Sequence, residues 1–531
     1  MSIARLFTMF SPSDAGRAGI VAARTVATAL LLFHLASPAA AQTPRPITAT
    51  DLWSIARVGD PVLSPDNRTV AYTITRYDLA TWKSKTDIWT VAVAGGEPVQ
   101  LTRSEQGSSN SPAWSPDGTR IAFVSTRDGS AQLYIMPAAG GDAHRLTSID
   151  GGVSGPVWSR DGRRIIFASS VEPAGDSMVA RRDGIARGGS QARIYDELGY
   201  RHWDEWEDGA RSHVFVLDVA TSGARDATPG PYDTPPIALG GFRDYDISPD
   251  GSEIAFVRNT DAQTMVGTGN DIWLVPVDGG DARRLTESRA NDVAPIYSPD
   301  GRYIAYLAMA RPAFEADRTR LTVYDRRTGT TRTLTENFDL SVDFFQWFAD
   351  SKTLWLLAQD RLYHSIFRVP VTGGTITTVS NDAYNSAIAV GSDGRTIIAA
   401  RQSTAAPVDL YSLDTRGRVA RQLTRANETL LSQLALQPAE PFWAEGAGGQ
   451  RVQGFIVKPP NFDASRKYPV VLLIHGGPQS AWVDSWSYRW NPNMFAAPGY
   501  VVVAVNPRGS TGYGQKFTDE ITGDWGGKAY T

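Results

Sequence analysis

The sequence predicts a β-propeller followed by the first part of an α/β domain. Two observations support this prediction. A short turn motif recurs seven times between residues 64 and 394. From about residue 436 this repeat gives way to long apolar strands with a helical stretch between them. Recurrence at a fixed spacing is typical of repeat architectures, whereas alternating strands and helices are typical of parallel sheets.

The repeat consists of an apolar or aromatic residue, the turn Ser-Pro-Asp-Gly and a short apolar strand, as at 114–118 followed by 121–123. Serine opens the turn, proline presets φ, aspartate bonds its own backbone and glycine tolerates positive φ. Most units add a second strand pair and a short Leu-Thr strand, such as Leu101-Thr102. Four short strands in about 45 residues make a propeller blade. The turn aspartates lie at 66, 117, 161, 250, 300, 350 and 393.

Seven turns predict a propeller of seven blades over residues 42–435, with eight left open if the flanks hide another. Scattered hairpins in a β-sandwich, the alternative, fit the regular spacing poorly. One interval is twice as long as the others because it contains an insertion at about 170–211.

The insertion contains a possible ligand-binding group. Residues 200–208 include four acids and two tryptophans, and among the acids Glu205 and Glu207 are the candidate substrate-binding residues. A carboxylate beside aromatic rings can hold a cationic group such as a peptide amino terminus. The alternative, which we favour at this point because the sequence does not show where the acids point, is a solvated loop with its tryptophans docked on the propeller.

The ends and the composition limit the classes of function. Residues 1–41 resemble an export signal: Arg17 and Arg24 precede a short apolar core, and an Ala-x-Ala site predicts cleavage after Ala41. The core is too short for a membrane anchor, so we expect a periplasmic or secreted protein that is not inserted in the membrane. A net charge of −4 favours no nucleic-acid partner, and the absence of cysteine excludes disulfides and thiolate chemistry.

The C-terminal part, residues 436–531, contains the most specific motif. An apolar strand expected to be buried ends at Ile474 and is followed by His475-Gly476-Gly477-Pro478. A helix predicted over 488–497 and a strand over 500–505 follow, and then the run 506–514, Asn-Pro-Arg-Gly-Ser-Thr-Gly-Tyr-Gly. Glycines after a buried strand let a backbone N–H approach a carbonyl oxygen closely, and such a turn supplies part of the oxyanion hole in α/β-hydrolases.

Together, the propeller turns and these two C-terminal motifs resemble the prolyl oligopeptidase family (S9), in particular its acylaminoacyl-peptidase and dipeptidyl-peptidase V branch. The resemblance implies a propeller stacked on an α/β-hydrolase domain, with short peptide substrates held between them and no cofactor or metal. It also implies that the N–H of Gly477 binds the oxyanion. We expect His475 to orient this loop, and Arg508 either to contact substrate or, as we favour, to brace the loop.

The sequence departs from the family in one respect. It contains no Gly-x-Ser-x-Gly elbow, and no histidine follows His475. We therefore expect the nucleophile, acid and base to lie beyond residue 531, so that this chain, as printed, is an inactive part of an exported exopeptidase that releases dipeptides or acylated residues. The alternative is a propeller that binds peptides or proteins without cleaving them.

Overall fold

The computed structural model describes residues 43–173, 177–195, 198–261, 267–477 and 479–530. The predicted export signal at 1–41 and Pro478 lie outside these residues. No helix within the described ranges is both long and apolar enough to cross a membrane.

The described residues of the propeller form seven successive four-strand antiparallel units. In the first unit the first strand position is occupied by two short strands, β1 and β2, which both pair with β3. The first three units comprise β1 (Arg57–Val58), β2 (Val62–Leu63), β3 (Thr69–Tyr77), β4 (Ser84–Ala92) and β5 (Val99–Gln100); β6 (Ser109–Trp114), β7 (Arg120–Ser125), β8 (Gln132–Pro137) and β9 (His144–Arg145); and β10 (Ser154–Trp158), β11 (Arg164–Val171), the inserted hairpin β12 (Arg201–His202) and β13 (Glu205–Trp206), β14 (Arg211–Asp218) and β15 (Ala224–Asp226). The remaining four comprise β16 (Tyr245–Ile247), β17 (Glu253–Asn259), β18 (Asn270–Pro276) and β19 (Arg283–Arg284); β20 (Asp292–Tyr297), β21 (Tyr303–Ala308), β22 (Arg320–Asp325) and β23 (Thr330–Thr333); β24 (Val342–Trp347), β25 (Thr353–Asp360), β26 (Tyr363–Pro370) and β27 (Thr377–Ser380); and β28 (Tyr384–Val390), β29 (Ile397–Ser403), β30 (Ala406–Leu413) and β31 (Val419–Gln422).

The repeated turn has the chemistry that its residues predict. In the copy at 115–118 the hydroxyl of Ser115 donates to Asp117 Oδ1 at 2.6 Å, and the same oxygen accepts from the backbone N–H of Thr119. Gly118 has a φ of +71°, which a residue without a Cβ adopts freely. The pair Leu101-Thr102, predicted as a strand, instead directly follows strand β5, and the hydroxyl of Thr102 accepts from the N–H of Ile88 in β4 at 2.9 Å.

Neighbouring units are joined by buried side chains. The indole of Trp114, just before a turn, donates to the carbonyl of Val62 in the preceding unit at 2.9 Å. The first and seventh units share one apolar cluster, in which Val70 and Tyr72 pack with Ile398 and Leu410. The units therefore close into a ring.

The closure of this ring gives a test of stability. The Asn427 side chain, after the seventh unit, accepts from Ala56 N–H at 2.8 Å and donates to Ala56 C=O at 2.9 Å, 371 residues away. Asn427→Ala leaves both backbone groups buried and unpaired, so we expect it to lower the free energy of unfolding by about 3 kcal/mol. Urea denaturation measures this change. Ser432→Ala, an exposed site on the same segment, should change stability by less than about 0.5 kcal/mol, and an equal loss in both variants would contradict the proposed closure.

The C-terminal part contains a mixed sheet with the strand order β32–β33–β35–β34. Strands β34 and β35 run parallel, as predicted, whereas β33 pairs antiparallel with β32 on one side and with β35 on the other. The strands are β32 (Glu440–Glu445), β33 (Arg451–Val457), β34 (Val470–Leu473) and β35 (Val501–Asn506). The helices of the described chain are α1 (Ala49–Ser54), α2 (Ser177–Arg187), α3 (Glu428–Leu431), α4 (Pro492–Ala496) and α5 (Gln515–Asp519), with a 3₁₀ turn at Ala447–Gly449.

Two expectations for this part are wrong. The helix predicted over 488–497 is only α4, because the side chain of Asn491 caps the helix and Pro492 fixes its first turn. Strand β34, expected to be buried, exposes Val470 by 62% and Leu472 by 55%. It lies at the edge of the sheet, and in the described part of the chain only its other face, with Val471 and Leu473, joins the apolar cluster around Phe455.

Candidate active site

The predicted oxyanion loop follows the parallel strand β34 directly. Gly477 has a φ of +124°, and a Cβ at this position would lie 2.6 Å from the backbone nitrogen of Gln479. Only glycine fits such a close approach in this backbone conformation. The loop therefore has the local geometry that the sequence predicts for Gly477.

His475 holds this loop in place. Its Nδ1 lies 2.8 Å from the carbonyl oxygen of Gly476 and its Nε2 lies 2.9 Å from Ser510 Oγ. Burial lowers the pKa of His475, so the ring is neutral near pH 7. A neutral ring that faces a carbonyl at Nδ1 donates there, and its Nε2 then shares the single proton of the Ser510 hydroxyl with the carbonyl oxygen of Pro507, which lies 2.7 Å from Ser510 Oγ. This arrangement supports the expectation that His475 orients the loop.

The segment that contains Ser510 is fixed to the sheet by Asn506. The Asn506 side chain is fully buried, accepts from Trp482 N–H and donates to Trp482 C=O, both at 2.8 Å. The same amide donates to the hydroxyl of Tyr513, which donates to Gln453 in β33 at 2.9 Å. Both sides of the oxyanion loop are thus tied to the same segment, 506–513.

Arg508 has contacts that fit a brace. Its Nε donates to the carbonyl of Lys528 at 3.2 Å and lies 3.8 Å from a carboxylate oxygen of Glu520. The side chain is 15% exposed. These contacts hold the segment 520–528 against the loop after β35, whereas substrate contact by Arg508 stays a prediction.

The propeller meets the C-terminal part beside the oxyanion loop. Arg311, between β21 and β22, makes a two-point ion pair with Asp519 in α5, at 2.9 and 3.0 Å, and a second ion pair with Asp317 at 2.6 Å. A cavity of about 400 Å³ opens next to this junction. Its walls include Phe314 from the propeller and Gln479, which follows the oxyanion loop. The cavity therefore borders the chain two residues after Gly477.

The two candidate substrate-binding acids lie in the insertion and differ in exposure and in ion pairing. Glu205, in β13, is exposed. Glu207 is only 17% exposed, because one of its oxygens forms an ion pair with Arg211 at 2.7 Å and accepts from Gly209 N–H. Neither carboxylate has a hydrogen bond or ion pair to the described C-terminal residues. The structure therefore does not bring them together with Gly477.

The expected docking of the two tryptophans on the propeller is wrong. Trp203 is 83% exposed. Trp206 stacks inside the insertion, with its ring 6.0 Å from that of Tyr195 and 6.2 Å from that of Tyr200. The insertion thus supplies its own aromatic packing surface, which removes the need for the propeller as a partner.

In the described part of the chain, no group of three or more His, Asp or Glu residues is placed to hold a metal ion. Sequence reasoning missed the roles of Ser510 and Asn506, although both lie in a motif that it singled out. It also missed Arg311 and Asp519, because a single charged residue in the sequence does not show which distant residue it will pair with.

A closed ring of four-strand units followed by a mixed sheet, with a positive-φ glycine turn after its parallel strand, is the architecture of a propeller-bearing hydrolase. Comparison with known proteins agrees. Residues 78–197 match the Tricorn protease N-terminal beta propeller domain, and residues 486–531 match the prolyl oligopeptidase family. Dipeptidyl-peptidase 5 of Porphyromonas gingivalis is 33% identical over 510 residues, which cover 92% of this chain and 72% of that protein. Dipeptidyl-peptidase 5 of Arthroderma otae is 31% identical over 528 residues, 93% of this chain and 72% of that protein.

The chain belongs to the prolyl oligopeptidase family (S9) of serine peptidases. Solved structures agree on the fold. The acylaminoacyl peptidase of Pyrococcus horikoshii superposes with a TM-score of 0.72 at 19% identity, over 91% of this chain and 70% of its own. A puromycin-hydrolyzing peptidase of Mycobacterium tuberculosis gives a TM-score of 0.61 at 16% identity, over 90% and 70% of the two chains. The predicted fold class, a propeller followed by part of an α/β-hydrolase domain, is confirmed.

Proposed function

We propose that the protein is an exported serine exopeptidase that releases dipeptides or acylated residues from the amino termini of short peptides. The observation that carries the proposal is the 33% identity over 510 residues to a dipeptidyl-peptidase 5. The positive φ of Gly477 supports it, because a glycine in this conformation can turn its backbone N–H toward a substrate carbonyl. We retain the division into an export signal at 1–41, a propeller at 42–435 and a peptidase part at 436–531.

The proposed reaction is acyl transfer to serine. A serine hydroxyl attacks the scissile carbonyl while histidine removes its proton, and the N–H of Gly477 donates to the oxygen that becomes negative. The sequence printed here contains neither a Gly-x-Ser-x-Gly elbow nor a histidine after His475. We infer that the three triad residues belong to the part of the relatives that the match does not cover, since the match spans 72% of the Porphyromonas gingivalis protein.

The proposal is tested on the native protein purified from its source. Intact mass, labelling with a serine-reactive fluorophosphonate and cleavage of dipeptidyl and acetyl-aminoacyl chromogenic substrates are measured on one preparation. We expect a mass above that of residues 42–531, one labelled serine and release of the chromophore. A native mass equal to that of residues 42–531, with no labelling and no cleavage, would contradict it.

That result would instead favour the second candidate, a propeller that captures peptides or a cell-envelope protein without cleaving them. The absence of a nucleophile elbow from the sequence is the observation that supports this candidate. Retention of peptides on immobilised protein without any cleavage would establish it.

We further propose that Glu205 binds the free amino terminus of substrates. Its carboxylate is exposed, whereas that of Glu207 is already paired with Arg211. Glu205→Gln should raise KM about tenfold for substrates with a free amino terminus and leave KM for N-acetylated substrates unchanged, because only the former lose an ion pair. Asp204→Asn, on the neighbouring exposed residue, is the control. Equal effects on both substrate types would argue against this role.

A further inference from the structure

A second cavity, of about 850 Å³, lies on another part of the domain junction. One wall comes from α1 and β1, before the first full propeller strand, and the other from the loop between β34 and α4. The walls are unusually aromatic, and the side chains that matter for its chemistry are Trp53, Arg57, Trp482, Trp486, Tyr488 and Trp490.

Two hydrogen-bond donors on these walls lack partners. Trp486 is only 6% exposed, and its indole Nε1 has no acceptor among the described residues. The buried Nε of Arg57 likewise has no acceptor in the described part of the chain. A buried donor without a partner costs about 1–3 kcal/mol, and most buried donors in folded proteins are paired. Both atoms are closed off from the cavity in this structure, so an acceptor reaches them only if the aromatic walls shift. The terminal nitrogens of Arg57, by contrast, are not buried and have no hydrogen bond to the described residues, so they are the donors that a ligand in the cavity meets first.

Aromatic rings fix Arg57 without using its N–H groups. The guanidinium carbon lies 4.1 Å from the ring centre of Tyr488, 4.4 Å from that of Tyr77 and 5.5 Å from that of Trp53. Such contacts use the face and charge of the cation. No carboxylate of the described residues forms an ion pair with it. A purely structural role would explain the rings but would leave both donors unpaired.

The walls define the class of ligand. A guanidinium matches a carboxylate in shape and charge, an indole N–H can donate to the same group, and flat aromatic walls favour an apolar or aromatic body. We propose that this cavity binds a carboxylate carried on an apolar group, as in the C-terminal residue of a peptide or in a free aromatic acid. The site is separate from the cavity beside Phe314 and does not depend on the proposed peptidase activity.

The wall of this cavity is continuous with the loop that contains Gly477. The loop that carries Trp486 and Tyr488 begins shortly after Gly477, and its Trp482 is held by the same Asn506 that fixes the oxyanion side. A ligand in the cavity therefore contacts the segment that continues directly from the oxyanion loop.

Calorimetric titration of the native protein tests the proposal. The probes are N-acetylphenylalanine, its neutral amide, and a tetrapeptide ending in phenylalanine with a free or an amidated C-terminus. We expect the free acids to bind at least about tenfold more tightly than the amides, since an ionic hydrogen bond is lost. Binding of both acids identifies peptide C-termini as ligands, and binding of N-acetylphenylalanine alone identifies small acids.

Variants locate the binding. Arg57→Met should abolish the preference for the acid, and Trp486→Phe, which keeps the ring but removes the N–H, should weaken binding about fivefold. Trp206→Phe, in the insertion, is the matched control and should bind like the wild type. Arg57→Lys, which retains the charge, guards against misfolding of the methionine variant. Equal binding of acid and amide, no binding of either, or wild-type binding by both Arg57→Met and Trp486→Phe would overturn the proposal.

Discussion

Replacing Gly477 by alanine is expected to lower kcat of the native peptidase by about 10²- to 10³-fold, the usual effect of losing an oxyanion donor. The φ of +124° is unfavourable for alanine, and its Cβ would lie 2.6 Å from the nitrogen of Gln479. The loop must then rotate, and the N–H no longer points to the oxyanion. KM should change little, because the donor acts mainly in the transition state. Steady-state kinetics on a dipeptidyl substrate measure both constants.

The neighbouring glycine provides the control. A Cβ at Gly476 would meet no atom within 4 Å, so Gly476→Ala should keep most of the activity and the melting temperature of the wild type. If both variants lost kcat equally, the loop as a whole would be sensitive and the specific role of Gly477 would be wrong. If neither lost it, another group would have to supply the oxyanion donor.

Stability should fall as pH rises from 4 to 8, and Asp292 should cause much of this loss. Burial raises the pKa of Asp292 from 3.8 to about 7, and nearby Asp271 adds to the shift. Between these values the folded protein keeps a proton that the unfolded chain has released, so the free energy of unfolding falls as pH rises. The shift corresponds to about 4 kcal/mol. Denaturant midpoints measured across this range for wild type and Asp292→Asn test this prediction. In the variant, the free energy of unfolding should fall less as pH rises.

Asp250→Asn is the matched control for the pH series. Asp250 belongs to a propeller turn, and hydrogen bonds from Ser248 and Ser252 lower its pKa. The contribution of Asp250 to folding stability is therefore complete above the pKa that it has in the unfolded chain, and it is lost only at lower pH. Between pH 5 and 8, the free energy of unfolding should change with pH in this variant as it does in the wild type. An unchanged slope in Asp292→Asn would show that Asp292 ionises normally in the folded protein.

The propeller could be predicted because its determinants are local. Residues such as Ser115 and Asp117 bond each other within one turn, so their spacing in the sequence reports the fold directly. Gly477 could be predicted for the same reason, since its neighbours in the sequence create the need for a glycine. The pair Arg311 and Asp519 could not, because its members lie 208 residues apart and either charge is ordinary by itself. The exposure of Val470 depends on its place at a sheet edge, which an apolar run does not encode.

The contacts around Ser510 connect the propeller to the loop that contains Gly477. Gln359 donates to the carbonyl of Thr511 at 3.1 Å from a propeller strand, and the adjacent Ser510 bonds the histidine that holds Gly477. We expect any separation of the propeller from the C-terminal part to strain this short series of bonds. The position of the Gly477 backbone therefore depends on how the two parts of the chain are seated against each other.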